Sequence, residues 1–205
     1  KVLTGHTYFS RFFRHPEGML ACHFTQARDV QVSFAPIKDV RIDKEGTLRF
    51  GWWKGNEKMK HRTIAVQKPV DSNAAVALLG NSFDTKQGLI IEGSLRLPKE
   101  KDSPRCGVYV ECTNNFGAGL LIDSSGVAEL GLMNADGTGF KMEKRVDREM
   151  TFGSPAAFRL LVKGSLMEFY LDDILIESFA LPANATGRIG LINAEDTMGT
   201  LKAWN

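Results

Sequence analysis

The fold of this chain is decided by the stretch from Phe158 to Leu181, which reads FRLLVKGSLMEFYLDDILIESFAL. Three short apolar-rich segments in it are separated by two pairs of turn residues, Gly164-Ser165 and Asp172-Asp173. Two-residue connections of this kind are typical of the tight turns in antiparallel β-hairpins. The stretch therefore predicts three consecutive antiparallel strands.

The same alternation of short strand-like segments and turn signals extends over the rest of the 205 residues. Examples of the turns are HPEG at 15–18 and NADG at 134–137. Only SNAAVALLG, at 72–80, has the composition of a helix, and it is short. Many short strands at regular spacing predict an all-β fold, an antiparallel two-sheet β-sandwich of the jelly-roll type. We predict a single domain over 1–205, in which 1–70 can form an N-terminal β extension that packs on a 71–205 core.

The composition excludes several classes of function. Hydrophobic residues make up 43% of the chain, charged residues make up 24%, and the net charge is +2. This balance is ordinary for a globular domain and predicts no nucleic-acid partner. No run approaches the roughly 18 apolar residues of a membrane-spanning helix, so we expect no membrane span. The chain begins with Lys1 rather than Met, which favours a processed chain or a piece of a longer protein.

The cysteines and histidines predict neither a metal site nor another cofactor. No Cys-x-x-Cys motif occurs, and the four histidines are scattered along the sequence. Cys106 and Cys112 fall on one predicted strand, too far apart along it to form a disulfide. The sequence does not decide whether Cys22 forms a disulfide with either of them.

The segments FRLLVKGSLMEFYLDD, ILIESFALP and TGRIGLI resemble the end of concanavalin A-like (laminin-G-like) jelly rolls. In particular they are similar to the β-sandwich that follows the five-bladed propeller in bacterial proteins of the glycoside hydrolase family 32 type. In that family an apolar-acidic-apolar strand, here Met167-Glu168-Phe169, precedes a short turn, here Asp172-Asp173. The N-terminal segments YFSRFFRHPEG and LRFGWWKGNEK resemble the C-terminal region of bacterial members.

The resemblance implies an accessory module, because the catalytic carboxylates of such enzymes belong to the propeller. The Asn-Asp-Pro nucleophile motif is absent here, and Glu111-Cys112 matches the acid motif only as a dipeptide without its context. The implied partner is a catalytic domain of the same parent protein. The implied location is secreted, periplasmic or on the cell surface.

Carbohydrate is the ligand that the residues favour. Sugar rings stack on aromatic side chains while nearby amides and carboxylates bind the hydroxyl groups. Two clusters have these ingredients, one at the adjacent tryptophans of 52–57 and one around the asparagines of 109–116. The predicted substrate-binding residues are Trp52, Trp53, Asn56, Tyr109, Asn114 and Phe116.

Two alternatives stay open beside a sugar-binding accessory module. The first is a glycosidase in its own right, with carboxylates among Glu92, Glu111 and Glu168, although no Glu-x-Asp-x-x-Glu motif supports it. The second is a protein-docking module that binds no sugar. Its apolar face would come from the aromatic first strand, through Tyr8, Phe9, Phe12 and Phe13.

Overall fold

The computed structural model describes residues 7–26, 32–43, 46–146 and 155–205. Short β-strands dominate this part of the chain, with two 3₁₀ helices at Lys54–Met59 and Glu195–Thr200. The strands are β1 (Thr7–His15), β2 (Gly18–Gln26), β3 (Val32–Phe34), β4 (Lys38–Ile42), β5 (Leu48–Trp52), β6 (Thr63–Ile64), β7 (Ala77–Leu78), β8 (Leu89–Leu95), β9 (Cys106–Thr113), β10 (Phe116–Ile122), β11 (Ala128–Asn134), β12 (Lys141–Val146), β13 (Ala156–Lys163), β14 (Leu166–Leu171), β15 (Ile174–Ala180), β16 (Ile189–Ile192) and β17 (Lys202–Trp204).

The strands form two antiparallel sheets, which confirms the predicted all-β sandwich. The larger sheet has the order β1-β2-β4-β5-β15-β14-β13-β8-β17-β6, with β3 paired to β2. The smaller sheet has the order β12-β11-β10-β9-β16-β7. The three strands predicted between Phe158 and Leu181 are β13, β14 and β15, and they lie side by side in the larger sheet.

The two turns of this stretch have the geometry that their residues favour. Lys163 pairs directly with Leu166, so Gly164 and Ser165 form a two-residue loop in which Gly164 has a φ of 57°. Asp172 and Asp173 form the second loop with φ values of 45° and 62°. Two successive positive φ angles are the mark of a type I′ turn, which suits the twist of adjacent strands.

The main core lies between the two sheets. Alternate residues of β13 and β14 point into it, and Phe158 stacks on Phe169 with ring centres 5.9 Å apart. The smaller sheet contributes buried aliphatic side chains from β9 and β10, among them Val108, Val110 and Leu120. This alternation is what a strand with one face on a core requires.

The other face of the larger sheet is also covered. Leu161 and Tyr170 point away from the main core and pack with Phe50 and Trp52 of the N-terminal strands in a second buried cluster. Strand β5 joins β15 through a single residue pair, Ile174 with Gly51. The N-terminal strands therefore pack against the sandwich mainly through side chains.

Local patterns were less informative at two places. The 72–80 segment, the one candidate for a helix, contains the two-residue strand β7, and Leu79 N donates to Ile189 O. Backbone pairing with β16, which makes β7 the edge strand of the smaller sheet, outweighs the helical composition of this segment. The three cysteines are free, with Cys106 and Cys112 both buried on β9. The side chains of Tyr8 and Phe9 lie outside the described part of the structure.

Candidate functional site

The first predicted sugar cluster is largely built into the protein interior. Trp52 is 4% exposed, and its indole Nε1 donates to Glu57 Oε1 over 2.7 Å. The Tyr170 ring meets it edge-on at 5.3 Å, and the guanidinium of Arg159 lies 4.2 Å from its ring centre. With these neighbours and only 4% of the residue exposed, Trp52 leaves a sugar no surface to stack on.

The other two members of this cluster also have structural contacts. Asn56 is buried and donates from Nδ2 to the main-chain carbonyl of Ile37 over 2.7 Å. Trp53 is half-buried, meets His15 edge-on at 5.6 Å and lies directly against Gly55, where an added Cβ would stand 2.2 Å from the indole ring. Trp53 and Asn56 therefore do not present a joint binding surface.

Tyr109 is fully buried, which separates it from its predicted partners Asn114 and Phe116. It lies on the outer face of the smaller sheet, in a cluster with Val76 and Met133. Its hydroxyl has no hydrogen-bond partner among the described residues. Burial, reinforced by the charge of Glu111, raises the pKa of Tyr109. The ring is a packing element with no face open to a ligand.

Asn114 and Phe116, by contrast, line an open groove of about 760 Å³ at one end of the smaller sheet. The floor of the groove is apolar and includes Val76 and Leu79. The rim carries amides, carboxylates and one guanidinium. The polar side chains that line the groove are Asp71, Asn81, Ser82, Asn114, Asn115, Asn134, Asp136 and Arg188.

Two hairpin turns shape this groove. One joins β9 to β10, and its residue Asn115 has a φ of 57°, a left-handed conformation that asparagine tolerates. The other joins β11 to β12, where Asp136 Oδ1 accepts from Thr138 N over 2.9 Å and from Thr138 Oγ1 over 2.6 Å. Ala135 N donates to Asn115 O over 2.9 Å. This bond ties the turns together and fixes the spacing of their side chains.

The charges at the rim are held in place by groups behind them. Glu111 is buried and accepts from Thr186 Oγ1 over 2.8 Å, from Asn115 N over 3.1 Å and from Arg188 Nη1 over 3.2 Å. The hydrogen bond that Arg188 donates to Glu111 anchors the Arg188 side chain, which is 43% exposed. Hydrogen bonds from Thr138 lower the pKa of Asp136. The groove therefore presents a guanidinium that Glu111 holds in place and the ionised carboxylate of Asp136, and Asp71 adds a second carboxyl group to its lining.

The carboxylates of the glycosidase alternative do not meet in this groove or elsewhere. Glu92 is on β8 and pairs with Arg159 at 2.6 Å and Lys60 at 2.7 Å. Glu168 is fully buried beside Lys38, and Glu111 is in the other sheet. Retaining and inverting glycosidases need two carboxyl groups that face each other across a cleft. No pair among these three provides that arrangement.

In the part of the chain that the structure describes, no group of three or more His, Cys, Asp or Glu side chains is arranged to hold a metal ion. Among the same residues no helix is long and apolar enough to cross a membrane.

Solved enzyme structures contain a region with the same architecture as this chain. The chain superposes on a β-fructofuranosidase of glycoside hydrolase family 32 from Bombyx mori, in complex with sucrose, with a TM-score of 0.66 at 9% identity, over 97% of this chain and 40% of that one. The fold is shared with enzymes of glycoside hydrolase family 32. An Aspergillus kawachii β-fructofuranosidase complexed with glycerol gives a TM-score of 0.65 at 9% identity over 97% and 45% of the chains. Fructan 1-exohydrolase IIa from Cichorium intybus, in complex with 1-kestose, gives 0.57 at 11% identity over 100% and 49%.

The chain thus spans less than half the length of each of these enzymes. The resemblance that the strand pattern indicated is confirmed at the level of the fold. No protein-family profile matches the sequence, and no curated protein matches it.

Sequence reasoning found only two of the sixteen residues that line the groove, Asn114 and Phe116. Asn134 and Asp136 stood in the sequence only as part of a turn signal, and Arg188 only within the TGRIGLI segment. The available clue was that each lies beside a turn or strand end, where loops meet. No sequence pattern states that the β9–β10 and β11–β12 turns bond to each other and enclose one space.

Proposed function

We propose that this chain is an accessory β-sandwich module that binds carbohydrate in the groove between the β9–β10 and β11–β12 turns. The observation that carries the proposal is the groove itself, where fixed amide, carboxylate and guanidinium groups surround an apolar floor. Such a mixture suits a sugar, which offers apolar C–H faces and many hydroxyl groups at once.

Each part of the groove has a matching part of a sugar. Phe116 and the aliphatic floor provide an apolar surface for a ring face, although Phe116 is only half-exposed. Asn114 and Asn134 supply both donors and acceptors, Arg188 supplies donors, and Asp136 supplies acceptors. Because the two turns are bonded to each other, these groups need little ordering when a ligand binds.

The relatives in fold support an accessory role in a carbohydrate-active protein. The solved enzymes include a β-fructofuranosidase in complex with sucrose and a fructan 1-exohydrolase in complex with 1-kestose. This chain spans less than half of their length, so we propose that its parent is a bacterial glycoside hydrolase-like protein whose catalytic domain is a separate region. A secreted, periplasmic or cell-surface location belongs to the same proposal.

The test is a binding and hydrolysis screen of the purified chain against sucrose, 1-kestose, longer fructans and unrelated glycans. Isothermal titration calorimetry measures binding, and reducing-sugar release measures cleavage. We expect binding without release, and about tenfold weaker binding in Asn114→Ala, since one lost pair of good hydrogen bonds is worth about 1.4 kcal/mol. Asn114→Trp, which fills the groove, should abolish binding.

The matched control is Asn184→Ala, because Asn184 is an exposed asparagine outside the groove. Unchanged binding in Asn114→Trp would exclude this groove as the site. The absence of binding to every glycan in the screen would contradict the carbohydrate role. Release of reducing sugar would instead favour the glycosidase alternative.

A second candidate function, docking onto another protein domain, is favoured by the exposed apolar side chains of the N-terminal strands. Phe12 is 52% exposed, Ile42 is 73% exposed and its cross-strand partner Leu48 is 37% exposed, and the register places them on one face of these strands. Isolated apolar residues are common on surfaces, but several on one small unit suggest a covered face. We propose the catalytic domain of the parent protein as its occupant.

A comparison of melting temperatures distinguishes this docking proposal from sugar binding. Ile42→Ser should leave the melting temperature of the isolated chain unchanged and lower that of the longer parent protein. Met142→Ser is the control, because Met142 is 51% exposed on the edge strand of the other sheet. Equal effects of Ile42→Ser in both proteins would contradict docking through this face.

A further inference from the structure

A second cavity lies at the seam between the N-terminal strands and the outer face of the larger sheet. Its volume is about 280 Å³. Buried aliphatic side chains form its floor, including Ile90, Leu161 and Leu166. Aromatic rings from two different units line it, Phe34 from β3 and Trp204 from β17. The cavity is separate from the proposed sugar groove, with which it shares no lining residue.

The wall that carries Trp204 is fixed by main-chain bonds. Trp204 pairs with Thr63 of β6 on one side and with Ile90 of β8 on the other. The ammonium group of Lys60 lies 4.7 Å from the centre of the Trp204 ring and holds it through a cation–π contact. The opposite wall, Phe34, meets Phe24 edge-on at 4.6 Å. Both aromatic walls are therefore positioned before any ligand arrives.

The polar side chains that line this cavity include no acidic residue among those that the structure describes. Lys163 and His61 line it. Within the described part of the chain, neither Lys163 nor His61 makes an ion pair. Gln87 adds an amide at the same cavity. A lysine that forms no ion pair with any described residue, beside an apolar pocket, is complementary to an apolar molecule that carries one negative charge.

We infer that this cavity binds a small aromatic carboxylate. The ring would lie on the aliphatic floor between Phe34 and Trp204, and the carboxylate would bind the ammonium group of Lys163. The volume limits the ligand to one ring with a short chain, because cavities for drug-sized ligands begin at about 300 Å³. The inference does not depend on the sugar groove, so either can fail without the other.

Binding at this place would also couple two parts of the chain. The ligand touches β3 of the N-terminal strands and β8, β13 and β17 of the sandwich in one cavity. A ligand that binds only the folded protein stabilises it in proportion to its occupancy. We therefore expect the carboxylate to raise the melting temperature as well as to bind.

The test uses 3-phenylpropionate as the probe, with 3-phenylpropionamide as its neutral counterpart. Two-dimensional ¹H–¹⁵N NMR of the tryptophan indoles reports the site, since Trp204→Phe identifies the Trp204 resonance. We expect the probe to shift the Trp204 resonance and leave that of the buried Trp52 in place. The acid should bind about tenfold more tightly than the amide, the ratio expected of one charge-assisted contact.

Two exposed side chains provide variants that should fold normally. Lys163→Gln should remove the preference for acid over amide, while Lys141→Gln, an exposed lysine on the other sheet, should retain it. Phe34→Ser should weaken binding of both compounds, whereas Met142→Ser, at an exposed apolar residue of the other sheet, should not.

Three results would overturn the inference. One is the absence of any shift of the Trp204 resonance at about 10 mM probe, because a dissociation constant above that concentration is weaker than a specific pocket should give. Another is equal affinity for the acid and the amide in the unaltered protein. The third is an unchanged acid preference in Lys163→Gln, which would place the contact with the carboxylate elsewhere.

Discussion

Replacement of Lys38 by methionine tests how the N-terminal strands are joined to the sandwich. Lys38 is on β4, its side chain is completely buried, and its ammonium nitrogen lies 2.8 Å from Glu168 Oε2 on β14. Tyr170 and Ser178 donate to the same carboxylate over 2.7 Å and 2.9 Å. His23 Nε2 stands 3.4 Å from its other oxygen. Lys38→Met leaves this buried carboxylate without its cation.

The expected loss is large because Glu168 cannot reach water. Removal of one partner from a buried ion pair costs about 3–5 kcal/mol of folding free energy, mostly through the unpaired charge that remains. Burial lowers the pKa of Lys38 more than Glu168 raises it, so the lysine itself is costly to bury. Removal of both charges, as in Lys38→Met with Glu168→Gln, should therefore recover at least about 2 kcal/mol of the loss.

Urea unfolding followed by far-ultraviolet circular dichroism measures these differences, provided that the dependence on urea keeps its slope. The control is Lys54→Met. Lys54 also pairs with a glutamate, Glu17, at 2.5 Å, but its side chain is 75% exposed. Surface pairs of this kind contribute little, so we expect no measurable change in the control.

Two results would refute the reasoning. If Lys38→Met is no less stable than Lys54→Met, the buried pair does not hold the N-terminal strands. If the double variant is as unstable as Lys38→Met, the loss comes from packing of the lysine stem and not from the charge left on Glu168.

Three further predictions concern pH, an unpaired hydroxyl and a close backbone contact. Burial alone would raise the pKa of Glu168, but its basic neighbours outweigh burial and lower the pKa from 4.5 to about 2. The ionised carboxylate thus stabilises the fold above pH 4.5, and the free energy of unfolding should fall by about 3 kcal/mol as the pH drops through 2. Urea unfolding at a series of pH values measures this fall, which Glu168→Gln should flatten. Tyr109→Phe removes a buried hydroxyl that has no partner among the described residues, so thermal unfolding should show no loss of stability, or a gain of up to about 1 kcal/mol, and a loss above that would reveal a partner. Gly107→Ala would place a Cβ 1.8 Å from the carbonyl oxygen of Leu120 and should cost about 3 kcal/mol or more in urea unfolding, whereas Gly199→Ala, with nothing within 4 Å, should be close to neutral.

The fold was readable from sequence because its signals are local. The turns at Gly164-Ser165 and Asp172-Asp173 specify their own geometry, and each strand between them shows which residues are apolar. The same holds for Asn114 and Phe116, which stand at a turn and a strand start and so lie near a sheet end. Signals of this kind depend on a few adjacent residues and are largely independent of the rest of the chain.

The rest of the site depended on contacts between distant residues. Trp52 looked like a sugar platform because tryptophan beside polar residues is typical of such sites, yet Tyr170 and Arg159 enclose it from the other end of the chain. Asn134 joins Asn114 in one groove only because the two turns bond through Ala135 and Asn115. Burial and proximity of this kind follow from sheet topology, which local patterns do not encode.

Glu168 links these two kinds of information. Met167 and Phe169 point into the main core, so Glu168 must point to the opposite face, together with Leu166 and Tyr170. A face with two large apolar side chains is unfavourable in contact with water, and a carboxylate on the same face is unfavourable when it is buried without a cation. It requires a cover that is apolar and brings a cation, and the N-terminal strands supply this through Trp52 and Lys38. The 158–181 stretch therefore requires a layer of other residues to cover this face. Only the structure shows that this layer comes from the start of the chain.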